Sequence, residues 1–179
     1  LLADGETAGY VNTGTWGKKA LGDARKVANV YEAWTDADGA FDRMPTPGEI
    51  EVRDGARYVH LTSNETIGGI RFAGLPSLDV PLVTDMSSDF LSRTIDWEAH
   101  DLVYGGAQKN LGPAGLAVVA VRRDRLSTHG RSLASYLDYA THESNDSMAN
   151  TPPMFAIYVM GKVLRWMQAE GGLAAFETR

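Results

Sequence analysis

The sequence predicts an α/β fold: a mostly parallel sheet with one antiparallel strand and helices on both faces. Three observations carry this. Short apolar runs alternate along the chain with amphipathic or polar segments, as strands alternate with crossovers. The runs are too continuously apolar to keep one face wet, which suits parallel strands covered on both sides. One connection, Asn110 to Gly115, is too short for a crossover helix, so the two runs it joins are expected to be antiparallel.

Taken in order, "AGYVNTG" (8–14) reads as the first strand. A helix follows from about Thr15, with Thr15 as its N-cap and Trp16, Ala20, Ala24 and Val27 recurring at helical spacing. "VANVYEAW" (27–34) is the second strand, and "TPGEIEV" (46–52), with a cap and a proline at the first helical position, is a short helix. Three further strands are "RYVHLTS" (57–63), "VPLVTDM" (80–86) and "LVYGGA" (102–107), and "GLAVVAV" (115–121) is the antiparallel one. "SLASYLDYATHE" (132–143) reads as helical and "SNDSMAN" (144–150) as a polar loop. A long helix begins at "TPPMF", with Phe155, Val159, Val163 and Trp166 in phase and Gly171-Gly172 at its end.

Composition narrows the function. The 179 residues are 44% hydrophobic, enough for one sizeable core. Net charge is -6 with no long run of either sign, which argues against nucleic acid or an anionic membrane as the partner. No stretch approaches the ~20 apolar residues of a membrane span, so a soluble protein is expected. The absence of cysteine excludes disulfides, thiolate nucleophiles and cysteine-ligated zinc. His60, His100, His129 and His142 show no metal spacing, and His60, inside an apolar strand, reads as a satisfied core histidine.

Chemistry is expected beyond the carboxyl ends of the parallel strands. Asp85 ends one strand and Lys109 follows the next, so parallel pairing would bring an acid and an amine to one edge of the sheet. "YGGAQKNLGPAGL" has the glycines and lysine of a phosphate loop, but neither its spacing nor the hydroxyl after the lysine. A lysine leaving an apolar strand end is expected to be partly desolvated, which frees its amine to attack carbonyls. A nearby carboxylate would oppose that unless it serves another cation. An amine at an aldehyde and an acid at a ring nitrogen is the arrangement pyridoxal phosphate requires.

The segments "YVHLTSNETIGGI", "DMSSDFLSR", "YGGAQKNLGPAGL" and "NTPPMF" together resemble the phosphoserine aminotransferases, a class V, fold-type I family of pyridoxal phosphate-dependent enzymes. The resemblance runs through nearly all of the chain. It implies that Lys109 forms the Schiff base with pyridoxal 5'-phosphate and moves the substrate proton, while Asp85 keeps the pyridine nitrogen protonated. Trp16 matches the residue stacked on the ring, and Thr66 the hydroxyl on its phenolic oxygen. Gln108 matches a phosphate contact, and Asn150 and Thr151 match a pair reaching the partner subunit's cofactor phosphate. Thr151 would also cap the long helix. No metal is implied.

The same resemblance implies transamination between O-phospho-L-serine and 2-oxoglutarate in serine biosynthesis, by a cytoplasmic homodimer with shared active sites. Other class V members acting on alanine, serine or glyoxylate are the nearest alternative, followed by a non-catalytic fragment. Residues 1–179 correspond to a central part of the cofactor-binding large domain. The family's glycine-rich phosphate turn would precede Leu1, and its small domain, with most substrate contacts, would follow Arg179.

Overall fold

The computed structural model describes residues 2–36, 39–126 and 132–178, so His129 lies outside the described residues. Strand and helix alternate from the start: β1 (Thr7–Asn12) leads into α1 (Thr15–Ala24), which returns to β2 (Asn29–Thr35). Then come β3 (Ala56–Thr62), the short strands β4 (Asn64–Glu65) and β5 (Ile70–Arg71), β6 (Leu82–Asp85), β7 (His100–Gly106) and β8 (Ala117–Val121). The last part is helical: α2 (Tyr139–Ser144), α3 (Met154–Ala169) and α4 (Gly172–Glu177).

Six strands form one sheet in the order β2-β1-β3-β6-β7-β8, while β4 and β5 make a small separate hairpin. All neighbours in the large sheet are parallel except β7 and β8. The short Asn110–Gly115 connection therefore forces the reversal expected of it. Side chains alternate between the two faces along each strand. Ala8, Tyr10, Tyr58, Val83 and Leu102 form a core with Leu21 of α1 on one face. Val11, Val59, Leu61 and Leu82 pack on the other, under the connecting segments. Farther along that second face, Val103, Ala107 and Leu111 meet Met160 and Leu164 of α3.

Several local expectations are corrected. Thr15 is the first residue of α1, not its cap; Gly14 holds the cap position and offers no side chain. Trp16 is exposed and Val27 lies beyond the helix, so the buried stripe of α1 is Gly17 and Leu21. The segment after Thr46 is a single 3-10 turn, Pro47–Glu49, in which the Glu49 carboxylate accepts from the Thr46 N–H and hydroxyl. The helical expectation for 132–143 is met in two pieces, a 3-10 turn at Ser135–Leu137 and all of α2 but its last residue.

Two corrections concern α3. Pro153, not Thr151, stands at its N-cap, and Thr151 is exposed. The two ends of the Phe155–Trp166 stripe face outward, Phe155 77% and Trp166 52% exposed, while Val159 and Val163 between them are half-buried. The packed stripe lies one residue later, at Ala156, Met160, Leu164 and Met167. The reason is steric. Gly112, in the turn between β7 and β8, brings its backbone so near α3 that a Cβ there would lie 3.4 Å from the Met160 Cα. That close approach turns the Met160 side of α3 toward the core. Gly171, in the left-handed region at φ 102°, follows the end of α3 as expected.

Candidate active site

The carboxyl ends of β1, β3, β6 and β7 lie along one edge of the sheet, and the loops leaving them bring most of the candidate residues together. Asp85 is paired in register with Tyr104 on β7 and with Thr62 on β3, which sets it at the end of a central strand. Its carboxylate accepts the Ser87 N–H at 2.9 Å, and the Ser87 hydroxyl in turn accepts the Gly106 N–H at 3.1 Å. The acid is thus tied to the strand end that precedes Lys109. The loop after β6 is pinned from the end of β3: the single proton of the Ser63 hydroxyl is shared between the Asp85 carbonyl and the Asp89 carboxylate, and Asp89 pairs with Arg93 at 3.2 Å. Arg93 also donates to the carbonyls of Phe72 and Ala73.

Lys109, Trp16 and Thr66 meet directly. The Lys109 ammonium lies 5.4 Å from the centroid of the Trp16 ring, and the Trp16 indole N–H donates to the Thr66 hydroxyl at 3.1 Å. Thr66 sits at the tip of the β4–β5 hairpin, just before Gly68 and Gly69. Its oxygen accepts from the indole, which leaves its own proton free to donate elsewhere. Lys109 is exposed, so the expected desolvation at a strand end is not found. Its turn runs out past the sheet, and the aromatic face of Trp16 stands against the ammonium, a contact worth about 0.5–1 kcal/mol at an exposed site. Gln108 is exposed, with its amide folded over Gly106, where any Cβ would collide with it.

Asn150 and Thr151 stand apart. Both are exposed just ahead of α3, and the hydrogen bond found for the Asn150 amide, at 3.4 Å, goes only to the Thr151 carbonyl. The chain therefore gathers Trp16, Thr66, Asp85, Gln108 and Lys109 at one edge and leaves these two outside the group.

The edge is backed by buried aromatic and polar groups. His60 Nε2 shares a hydrogen bond with the Tyr104 hydroxyl at 3.0 Å, and its ring stacks on Tyr10 at 4.6 Å. His60 Nδ1 is buried with no partner, so this histidine is only half satisfied. Burial pushes its pKa down from 6.5 to about 4, although the field of Asp85 acts the other way. Burial, then the neighbouring Asp85, raises Tyr104. Two cavities, of about 220 and 550 Å³, lie off the Lys109 cluster; the larger runs along the α1 face past Tyr10, His60, Tyr104 and Tyr139. Lys109, Trp16 and Thr66 line neither, and together they form an open shelf.

One residue escaped the sequence reading. Glu65 is wholly buried, and its carboxylate accepts the N–H groups of Trp16 at 3.0 Å and Gly17 at 2.7 Å. It caps α1 from 48 residues away. The two glycines of "GTWG" were the available signal. A Cβ at Gly14 would come 3.1 Å from Glu65 Cδ, and one at Gly17 would come 2.9 Å from the Val11 carbonyl oxygen.

The family model for aminotransferase class-V matches residues 2–179. A phosphoserine aminotransferase of Dichelobacter nodosus is 47% identical over 176 residues, covering 98% of this chain and 49% of that protein. A solved structure of phosphoserine aminotransferase from Bacillus circulans subsp. alkalophilus is similar with TM-score 0.93 and 44% identity, covering 98% of this chain and 49% of that one. A crystal structure of pyridoxal phosphate-bound phosphoserine aminotransferase from Trichomonas vaginalis is similar with TM-score 0.89 and 35% identity, covering 98% and 50%. The chain spans about half the length of the relatives it matches.

Proposed function

The chain belongs to the aminotransferase class-V family, and from that premise we propose that it is the central part of the large domain of a phosphoserine aminotransferase. The proposed reaction exchanges an amino group between O-phospho-L-serine and 2-oxoglutarate, a step of serine biosynthesis. The observation that carries this is the convergence of Lys109, Trp16 and Thr66 on the edge where Asp85 ends its strand.

That donor set fits pyridoxal phosphate: an amine for an aldehyde, a carboxylate for a cationic ring nitrogen, an aromatic face for the ring and a hydroxyl for its phenolic oxygen. When bound, the group supplies an electron sink that lets an amino acid release its α-proton. The rest falls to the chain. Lys109 Nζ, on its flexible stem, is the base and acid at the substrate's α-carbon. Asp85, oriented by the Ser87 N–H, holds a proton on the ring nitrogen by charge pairing. Trp16 covers one face of the site against water, and Thr66, already accepting from the indole, directs its proton to a phenolic oxygen. Gln108 faces a phosphate. Asn150 and Thr151, outside the cluster, reach the site of a second subunit, in a cytoplasmic homodimer.

Addition of pyridoxal phosphate followed by borohydride is expected to leave a stable adduct that peptide mapping places on Lys109 and that Lys109→Ala lacks. An adduct spread over other lysines, or none, removes the cofactor assignment. Substrate class is checked in the intact enzyme, with phosphoserine expected to exceed alanine and serine; equal rates on all three would remove the phosphoserine assignment.

A further inference from the structure

Trp16 is held at two points by consecutive residues of one hairpin. Its backbone N–H donates to Glu65 and its ring N–H donates to Thr66. The second point alone would let the ring pivot about the Thr66 oxygen, and the first alone would leave the side-chain torsions free. Together they set the plane of the indole relative to the sheet edge. Glu65 also takes the Gly17 N–H, so one carboxylate satisfies two of the amides left open at the start of α1, where Gly14 offers no side chain. A buried carboxylate with charge-assisted bonds to a helix start is well placed both electrostatically and geometrically.

We infer that Glu65 is a positioning residue for the aromatic platform of the active site, which rests on reading Trp16 as the stacking residue. The carboxylate takes its hydrogen bonds from the backbone of α1 rather than from Lys109. It works through α1, fixing where the helix starts and hence where the ring lies. Gly14 and Gly17 belong to the same device, because Glu65 passes where the side chain of Gly14 would stand and within 3.4 Å of a Cβ at Gly17.

The test is Glu65→Gln in the intact protein, read first without cofactor. The Trp16 indole N–H resonance in a ¹⁵N-labelled sample is expected to move, and its exchange with water to quicken. The dissociation constant for pyridoxal phosphate is then expected to rise by about tenfold, the size of one lost charge-assisted hydrogen bond. In a Trp16→Ala background the same change is expected to add less than about threefold, because the two residues act as a unit. An unmoved indole resonance overturns the inference, and so does a full tenfold effect without Trp16, which would mark a purely structural role. Where Glu65→Gln does not fold, Glu65→Asp withdraws the carboxylate by one methylene and is expected to move the same resonance, with an unmoved one equally decisive. If the unaltered protein takes up no pyridoxal phosphate, the functional reading fails, and the cofactor-free indole resonance alone decides the role of Glu65.

Discussion

His60 shows how one residue couples the interior to pH. Its ring is buried between Tyr10 and Tyr104, and only one of its nitrogens has a partner. The folded chain therefore keeps it neutral down to about pH 4, whereas an unfolded histidine takes up a proton near 6.5. Between those values the unfolded state binds more protons, so stability falls as pH falls. Each unit amounts to about 1.4 kcal/mol, or roughly 3 kcal/mol over the whole window. His100, also lowered chiefly by burial, adds the same sign. Carboxylates join only nearer their own range, as with Glu49, which Arg43 and Thr46 hold at about 2. Urea midpoints measured from pH 7 to 4.5 are expected to fall steeply in the unaltered protein and distinctly less in His60→Gln. Equal slopes would mean that another group carries the dependence. Of this arrangement only the burial of His60 was legible in the sequence. The pairing with Tyr104 comes from strands β3 and β7, which are separated by β6, and an apolar run says nothing of what lies across it. Glu65 was illegible for the same reason, being an ordinary polar residue locally and a helix cap only once the chain has folded.

At the scale of elements, the strands were the readable part. β1, β2, β3, β6, β7 and β8 all fall on apolar runs, and the reversal at β8 follows from a connection too short for anything else. Helix phase was less legible. The spacing of Phe155, Val159, Val163 and Trp166 is helical, but the same spacing recurs one residue later, and size does not decide which stripe is buried. The glycine at 112 decides it by admitting α3 so closely. This gives a paired expectation for thermal or denaturant unfolding of the chain. Met167→Ala, at a site 6% exposed, is expected to cost about 2 kcal/mol or more. Phe155→Ala, 77% exposed, is expected to stay within about 0.5 kcal/mol. The reverse order would put the aromatic stripe back in the core.

At the scale of the whole molecule, apolar side chains collect outside the core along one part of the sequence. Tyr136, Leu137, Met148, Met154, Phe155, Tyr158 and Trp166 are each more than half exposed. Asn150 and Thr151, the two candidate residues left outside the cluster, lie within this stretch. Under the homodimer proposed above, burial of these apolar side chains against a second copy of the chain would remove them from water. Sedimentation at rising concentration is expected to show a dimer, and Phe155→Glu with Tyr158→Lys is expected to shift it to monomer without loss of helix content. A monomer at all concentrations would count against the homodimer for these residues taken alone.

The turn that carries Lys109 has a consequence in time. Ala107 N–H bonds to the Leu116 carbonyl, Gly112 N–H returns to the Ala107 carbonyl, and the Asn110 amide reaches across to the Phe90 carbonyl. Leu111, within that turn, is packed in the core. A loop tied this way has little freedom to open and close, so the lysine's travel lies in its own carbon stem. Rotation of an exposed side chain takes picoseconds to nanoseconds, while loop motions run from nanoseconds to microseconds. The amine can therefore swing through many positions in the time a loop needs to move once, with the backbone beneath it standing still.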